Sequence, residues 1–334
     1  MTDMDDLLKL LHDLDNLRSY AGWLSSSFDD FRRDTGLIVL GVLEEYDRRQ
    51  GLPALPLLGV HGRNDLDFMA ADFELIRESK VQTVKMMSQT RPRVFEILKG
   101  LDVQLIITRL YDDRFGTGHH PTPAEFRDRM VPVIQALQPY CTFYEIHNEP
   151  NHLAGYEGWG QTDADARDFD SWFVEVYRLL KAACPWAEFG FPGLAVPHRD
   201  IEWLNICRQS LRLADWLGCH TYWQNPTDQD INHLSGEWGL RCDQYHRVSP
   251  NKPIHITEAG NSNHQTEGLP HNDQKIALEI VEHARAVLRR PWIGSVAYFL
   301  MSSQDRTWAD FAWRTEQGQF KPIVARMGEL INSL

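Results

Sequence analysis

Three observations predict an α/β protein, and within that class a TIM (β/α)8 barrel with an N-terminal helical extension. From about Leu57 onward, short β-rich runs alternate with amphipathic stretches, the pattern of repeated βα units around a parallel sheet. Eight such runs can be counted, the number that closes a barrel. The length, 334 residues, suits a barrel of roughly 250 residues plus an extension of several tens.

The runs lie at 57–61, 81–87, 103–110, 142–147, 187–191, 216–222, 253–257 and 294–300. Between them, apolar residues recur at intervals of three and four over 164–183, 200–213, 271–288 and 321–334, which predicts helices. A doubly wound sheet would place a glycine-rich turn after its first strand. Here that run leads into Val60-His61-Gly62-Arg63-Asn64-Asp65, which lacks the GxGxxG spacing.

Residues 1–56 read differently. Leu7, Leu10, Leu14 and Leu17 share one helical face, and a second apolar stretch covers 37–43. Ser25-Ser26-Ser27 followed by Asp29 and Asp30 reads as a break and a new helix start. The expected organisation is a helical extension over 1–56 and a catalytic barrel over 57–334. The extension would pack on the barrel wall or close its bottom; its alternative role is an oligomer contact.

Composition narrows the partners. Hydrophobic residues make up 43% and charged residues 24%, ordinary for a globular protein, and no apolar run is long enough to cross a bilayer. After Met1 the chain continues Thr2-Asp3-Met4-Asp5-Asp6 rather than with basic and apolar regions, so a cytoplasmic location is expected. Cys141, Cys184, Cys207, Cys219 and Cys242 are odd in number and lack CxxC spacing. Buried reduced thiols are therefore expected rather than a disulfide framework or a zinc knuckle. A net charge of -13 repels nucleic acid and anionic lipid and leaves a neutral ligand such as a sugar unopposed.

In a TIM barrel the reacting groups sit at the C-terminal ends of the strands. Those ends are polar here: His61 with Arg63, Lys85, Arg109, His147-Asn148-Glu149, His220 with Tyr222 and Trp223, and Glu258. Glycoside hydrolysis needs two carboxyl groups flanking the scissile bond, one to protonate the leaving oxygen and one, in retaining enzymes, to attack the anomeric carbon. Glu149 and Glu258 end the fourth and seventh runs, nearly opposite across an eight-strand ring. A single strand-end glutamate is as readily a solvated loop carboxylate. The matched pair with its polar neighbours is what carries the assignment.

At these residues the sequence resembles the clan of retaining (β/α)8 glycoside hydrolases that includes the family 5 cellulase-like and family 39 xylosidase-like enzymes. Asn148-Glu149-Pro150 is similar to the clan's strand-four Asn-Glu-Pro, Thr257-Glu258 to its strand-seven nucleophile, and His220-Thr221-Tyr222 to its strand-six His-x-Tyr. The resemblance implies a retaining glycosidase acting on a carbohydrate, with Glu149 as general acid/base, Glu258 as nucleophile, Tyr222 bonded to Glu258, and Asn148 on the sugar 2-hydroxyl. It implies no metal and no organic cofactor. Strand-end position adds His61, Lys85, Arg109, His147, His220 and Trp223 to the expected substrate-binding set.

The chain departs from the clan pattern at His147, where relatives often carry Trp, and at Lys85, where cellulase-like members have Arg. It also departs at Tyr298-Phe299-Leu300-Met301, which lacks a strand-eight Trp. Trp223, Trp159, Trp238, Trp308 and Trp313 offer indole faces for stacking on pyranose rings, which points to several sugar subsites and hence to endo action or a long acceptor. Two alternatives stand beside this reading. His61, His147, His220 and His255 near strand ends would suit a metal-dependent barrel hydrolase, although the His-x-His of its first strand is missing. A barrel that binds glycan without cleaving it is the other.

Overall fold

The computed structural model describes residues 55–334 except 118 and 154–156. The expected helical extension therefore falls, apart from residues 55 and 56, outside the described residues. Eight parallel strands close in sequence order. They are β1 (Leu57–His61), β2 (Thr83–Met87), β3 (Leu105–Leu110), β4 (Phe143–Ile146), β5 (Glu188–Phe191), β6 (Trp216–Trp223), β7 (Ile254–Asn261) and β8 (Ile293–Tyr298). Each expected run carries one of them, and the fold is a TIM barrel. The barrel unit spans residues 57–284 and 292–334.

The helices described are α1 (Ala70–Ser79), α2 (Pro92–Lys99), α3 (Pro123–Leu137), α4 (Asp163–Ala183), α5 (Asp200–Ile206), α6 (Arg208–Leu213), α7 (Cys242–Val248), α8 (Asp273–Val287) and α9 (Pro322–Asn332). Local chemistry sets several boundaries. Thr122 and Glu125 form a reciprocal capping box that starts α3, and Thr162 and Asp165 do the same for α4. The helix expected over 200–213 is divided into α5 and α6. Cys207, at φ -75 and ψ 38, ends one and starts the other.

Alternation along the strands separates two cores. Leu58, Val60, Val84 and Tyr144 are fully buried on the outward face, against the helices. Burying each side chain stabilises the fold by about 1.5–3 kcal/mol. The inward face is polar. Lys85 on β2 touches both Glu145 on β4 and Glu258 on β7, and since β2 neighbours neither strand, the contacts cross the barrel interior.

β7 continues past its expected end because its pairing with β6 persists to Trp223 opposite Asn261. Glu258 consequently lies within a strand, opposite His220, where backbone hydrogen bonds hold it more rigidly than a loop would. Register shifts at Cys219/His220 and between Ile256 and Ala259 flank these two residues, and such bulges re-aim side chains beside active sites. All five cysteines are buried and none is in a disulfide. Among the described residues no helix is long and apolar enough to cross a membrane.

Candidate active site

The turn after β4 is built under strain. His147 and Glu149 both take left-handed backbone angles, φ 77 and 43, at a cost of about 1–3 kcal/mol each. Asn151 locks the turn in place. Its amide donates to the carbonyls of Ala195 and His198, both at 2.8 Å, and accepts the Ala195 N–H at 2.7 Å. The Glu149 N–H donates to the Gly193 carbonyl at 3.0 Å. These bonds fasten the β4 loop to the β5 loop and aim Glu149 over the barrel mouth.

His220 stands between the two glutamates. Its Nδ1 lies 2.8 Å from Glu149 Oε1 and its Nε2 3.8 Å from Glu258 Oε1. One oxygen of each glutamate and one ring nitrogen of His220 all fall within 4.8 Å of one another. Only a glycine at 193 allows this, because a Cβ there would come within 2.1 Å of the His220 ring.

Glu258 is held from every side. Lys85 Nζ donates to Oε1 at 3.0 Å, Tyr222 OH donates to Oε2 at 2.8 Å, and His61 Nε2 lies 3.8 Å from Oε1. Burial alone would push its carboxyl up, but His220, Lys85 and His61 together hold it well below the usual carboxylate range. Tyr222 moves the opposite way: burial and the nearby charges of Glu258 and Glu149 raise its phenol well above the ordinary value, so it remains a donor. Glu258 has 9% of its side chain exposed and Glu149 25%. The first is a fixed anion, and the second is the carboxyl that water reaches.

Lys85 replaces an arginine fork with a point charge, and a second carboxylate completes its coordination. Glu145 Oε2 lies 2.8 Å from Lys85 Nζ, while Glu145 Oε1 accepts from Thr257 Oγ1 at 2.7 Å and from the Gly193 N–H at 3.1 Å. Burial would lower the Lys85 ammonium, but Glu145 and Glu258 raise it above its ordinary value. The motifs singled out neither Glu145 nor Gly193, and quoted Thr257 only as the residue before Glu258. Glu145 was readable only as a charged residue inside an otherwise apolar run.

His61 Nδ1 donates to the Gly62 carbonyl at 2.7 Å, which leaves Nε2 as an acceptor in the neutral ring. Burial, then the charge of Lys85, push this histidine down to about 4. His61 Nε2 and His220 Nε2 are both buried without a hydrogen-bond partner among the described residues. Both could hydrogen-bond to hydroxyl groups, and His61 lies in the cluster, 3.8 Å from Glu258.

Three expected residues lie elsewhere. Trp223 points away from the cleft, since alternation along β6 puts it on the face opposite His220 and Tyr222. It is fully buried, donates to Glu279 Oε2 at 2.9 Å and stacks on His283, so its indole is not open to a sugar. His147 sits in an aromatic nest of Phe115, Phe169 and Trp172, and burial pushes it down to about 3. Its Nε2 accepts the Trp159 indole N–H at 3.3 Å, so it positions Trp159 rather than meeting the carboxylates. Arg109 pairs with Glu157 and lies over the Tyr111 ring, and reaches the cluster only through its charge. Asn148 precedes Glu149 with an enclosed Oδ1 that has no partner among the described residues.

The remaining tryptophans divide. Trp313 is buried, whereas Trp159, Trp238 and Trp308 are partly exposed. Trp308 packs on Phe299 and Phe311, and these two rings contact His61 and Tyr222 respectively. An aromatic wall thus flanks Glu258, supplied by the loop after β8 as well as by the strand end.

No family model matches the sequence, and no curated protein matches it. Solved structures do match. A monomeric beta-xylosidase from Caulobacter crescentus CB15 superposes with a TM-score of 0.61 at 16% identity, covering 84% of this chain and 69% of its own. The GH39 enzyme from Xanthomonas axonopodis pv. citri gives 0.61 at 14% identity, covering 84% and 68%. A GH128 endo-beta-1,3-glucanase from Pseudomonas viridiflava gives 0.56 at 13%, covering 81% and 96%. At these identities the likeness establishes a shared barrel fold; activity has to come from the site itself.

Proposed function

We propose that this chain is a retaining glycosidase acting on a β-linked oligo- or polysaccharide, with Glu258 as nucleophile and Glu149 as general acid/base. The observation that carries the reading is the spacing of the two carboxylates. Oxygens within 4.8 Å suit the retaining separation of about 5–5.5 Å and leave no room for the intervening water of an inverting pair, which needs about 6.5–9.5 Å. The superposed xylosidase and glucanase add support from fold analogy.

The chemistry follows from the contacts. Glu258, kept anionic by Lys85, attacks the anomeric carbon while protonated Glu149 gives its proton to the leaving oxygen. Glu149, now ionised and the more open of the two, takes a proton from water as that water displaces Glu258 from the sugar. Two inversions give retention. Tyr222 bonds the oxygen of Glu258 that Lys85 does not, which orients the carboxylate for attack. Asn148 supplies the amide for the 2-hydroxyl, and His61 Nε2 accepts from another hydroxyl. The metal-dependent reading has less support, because the Lys85 ammonium 3.0 Å from Glu258 Oε1 repels a divalent cation at that oxygen.

The test is product analysis by anomeric NMR and mass spectrometry on a panel of β-linked glycans, with Glu149→Ala assayed on aryl glycosides plus azide. Retained products and azide rescue are expected. Inverted products, or unimpaired Glu149→Ala on natural glycans, overturn the assignment. Glycan binding with no turnover by the wild type favours the non-catalytic barrel.

A further inference from the structure

Resting on the assignment of Glu258 as nucleophile, we propose that Glu145 is a positioning residue that competes for the Lys85 ammonium and so limits how strongly that cation holds the nucleophile. Three observations carry it. Lys85 Nζ is shared between Glu145 Oε2 at 2.8 Å and Glu258 Oε1 at 3.0 Å, with both Lys85 and Glu145 fully buried. Glu145 is aimed by dedicated donors, Thr257 Oγ1 and the Gly193 N–H. Space is reserved for it, since a Cβ on Gly218 would lie 3.0 Å from Glu145 Oε1 and 2.6 Å from Gly193 N.

The physical logic is a division of charge. A buried anion with an ammonium to itself is strongly stabilised and correspondingly unreactive. Sharing the ammonium with a second carboxylate leaves Glu258 ionised yet more basic, which favours attack. The groups facing Glu258 are Lys85 from β2, His61 from β1, His220 and Tyr222 from β6, and Glu149 from the β4 loop. Those acting on Glu145 are Lys85, Thr257, the Gly193 N–H, and the more distant rings of His220 and His255. Of all these, Lys85 alone contacts both carboxylates through one atom, and it is the link between them.

The sign distinguishes this role from simple support. In Glu145→Gln the amide oxygen can still accept from Thr257 and Gly193, but Lys85 turns wholly to Glu258. A less basic carboxylate attacks more slowly and leaves more readily. Pre-steady-state kinetics on an aryl glycoside should show glycosylation slowed about tenfold with deglycosylation unchanged or faster. Equal slowing of both steps overturns the proposal. Thr257→Val, which removes a competing donor from Glu145, shifts both steps the opposite way and serves if Glu145→Gln does not fold; no shift in either step overturns the proposal.

An NMR titration of the Lys85 ε-carbon reads the same division without any substrate. Its midpoint should fall by about one pH unit in Glu145→Gln and rise in Thr257→Val; midpoints that do not move overturn the proposal. If the wild type cleaves no glycoside, the functional assignment fails on its own, and this titration still decides whether Glu145 shares the ammonium.

Discussion

Replacing Lys85 with Met removes the cation that, among the described residues, touches both Glu145 and Glu258. Taking one member from a buried ion pair costs about 3–5 kcal/mol, because the partner charge stays behind without compensation. At about 2 °C per kcal/mol for a chain of this size, the melting temperature at pH 7 should drop by about 6–10 °C. The pH dependence follows from the carboxylates. A glutamate held below its ordinary value of 4.5 contributes stability that is complete above that value and is lost as pH falls through the lower folded value. In Lys85→Met, burial instead favours the protonated acids, so acid relieves the variant. Thermal unfolding followed by circular dichroism at pH 7 and pH 4 should show the gap between wild type and variant narrowing by about half in acid. A gap below about 2 °C at pH 7, or one that is the same at both pH values, would refute the reasoning.

Tyr222→Phe removes the 2.8 Å donor to Glu258, and a hydrogen bond to a charged group is worth about 1.5–3 kcal/mol. Its kcat/KM should fall roughly tenfold to a hundredfold; an unchanged rate contradicts the role. Gly193→Ala forces a Cβ to within 2.1 Å of the His220 ring. Steady-state assays should show at least a tenfold loss of kcat, and wild-type turnover would mean that His220 need not lie where it does. His255, buried, is pushed down to about 4 from 6.5, first by burial. Its neutral ring therefore adds stability that is complete above 6.5 and lost as pH falls through 4. His255→Gln should remove roughly 3 kcal/mol of that dependence in urea unfolding between pH 7 and pH 4; an identical slope would place its pKa elsewhere. The five buried thiols should resist a thiol reagent in the native protein and react only after denaturation.

The fold was legible because βα units announce themselves through two periodicities, and each of the eight expected runs carries a strand. The carboxylates were legible because chemistry concentrates at strand ends. What the sequence hid is information about direction and about contacts across the barrel. Trp223 follows Tyr222 by one residue, and one residue along a strand is the difference between lining the cleft and packing against Glu279. His147 looked like a site residue because it adjoins Asn148-Glu149; its left-handed backbone turns the ring into an aromatic nest. Glu145 could not be recognised, since its partners Lys85, Gly193 and Thr257 stand 60, 48 and 112 positions away and meet only when the sheet closes. The break at Cys207 likewise leaves no mark in the apolar spacing, which continues across it.

The most direct test is to trap the intermediate with 2-deoxy-2-fluoro aryl β-glycosides, whose glycosyl-enzymes hydrolyse slowly, and to map the labelled peptide by mass spectrometry. A stoichiometric adduct on Glu258, absent from Glu258→Gln, is the predicted result. Hydrolysis of the parent glycosides with an adduct on another residue, or with inversion at the anomeric carbon and no adduct, would contradict it.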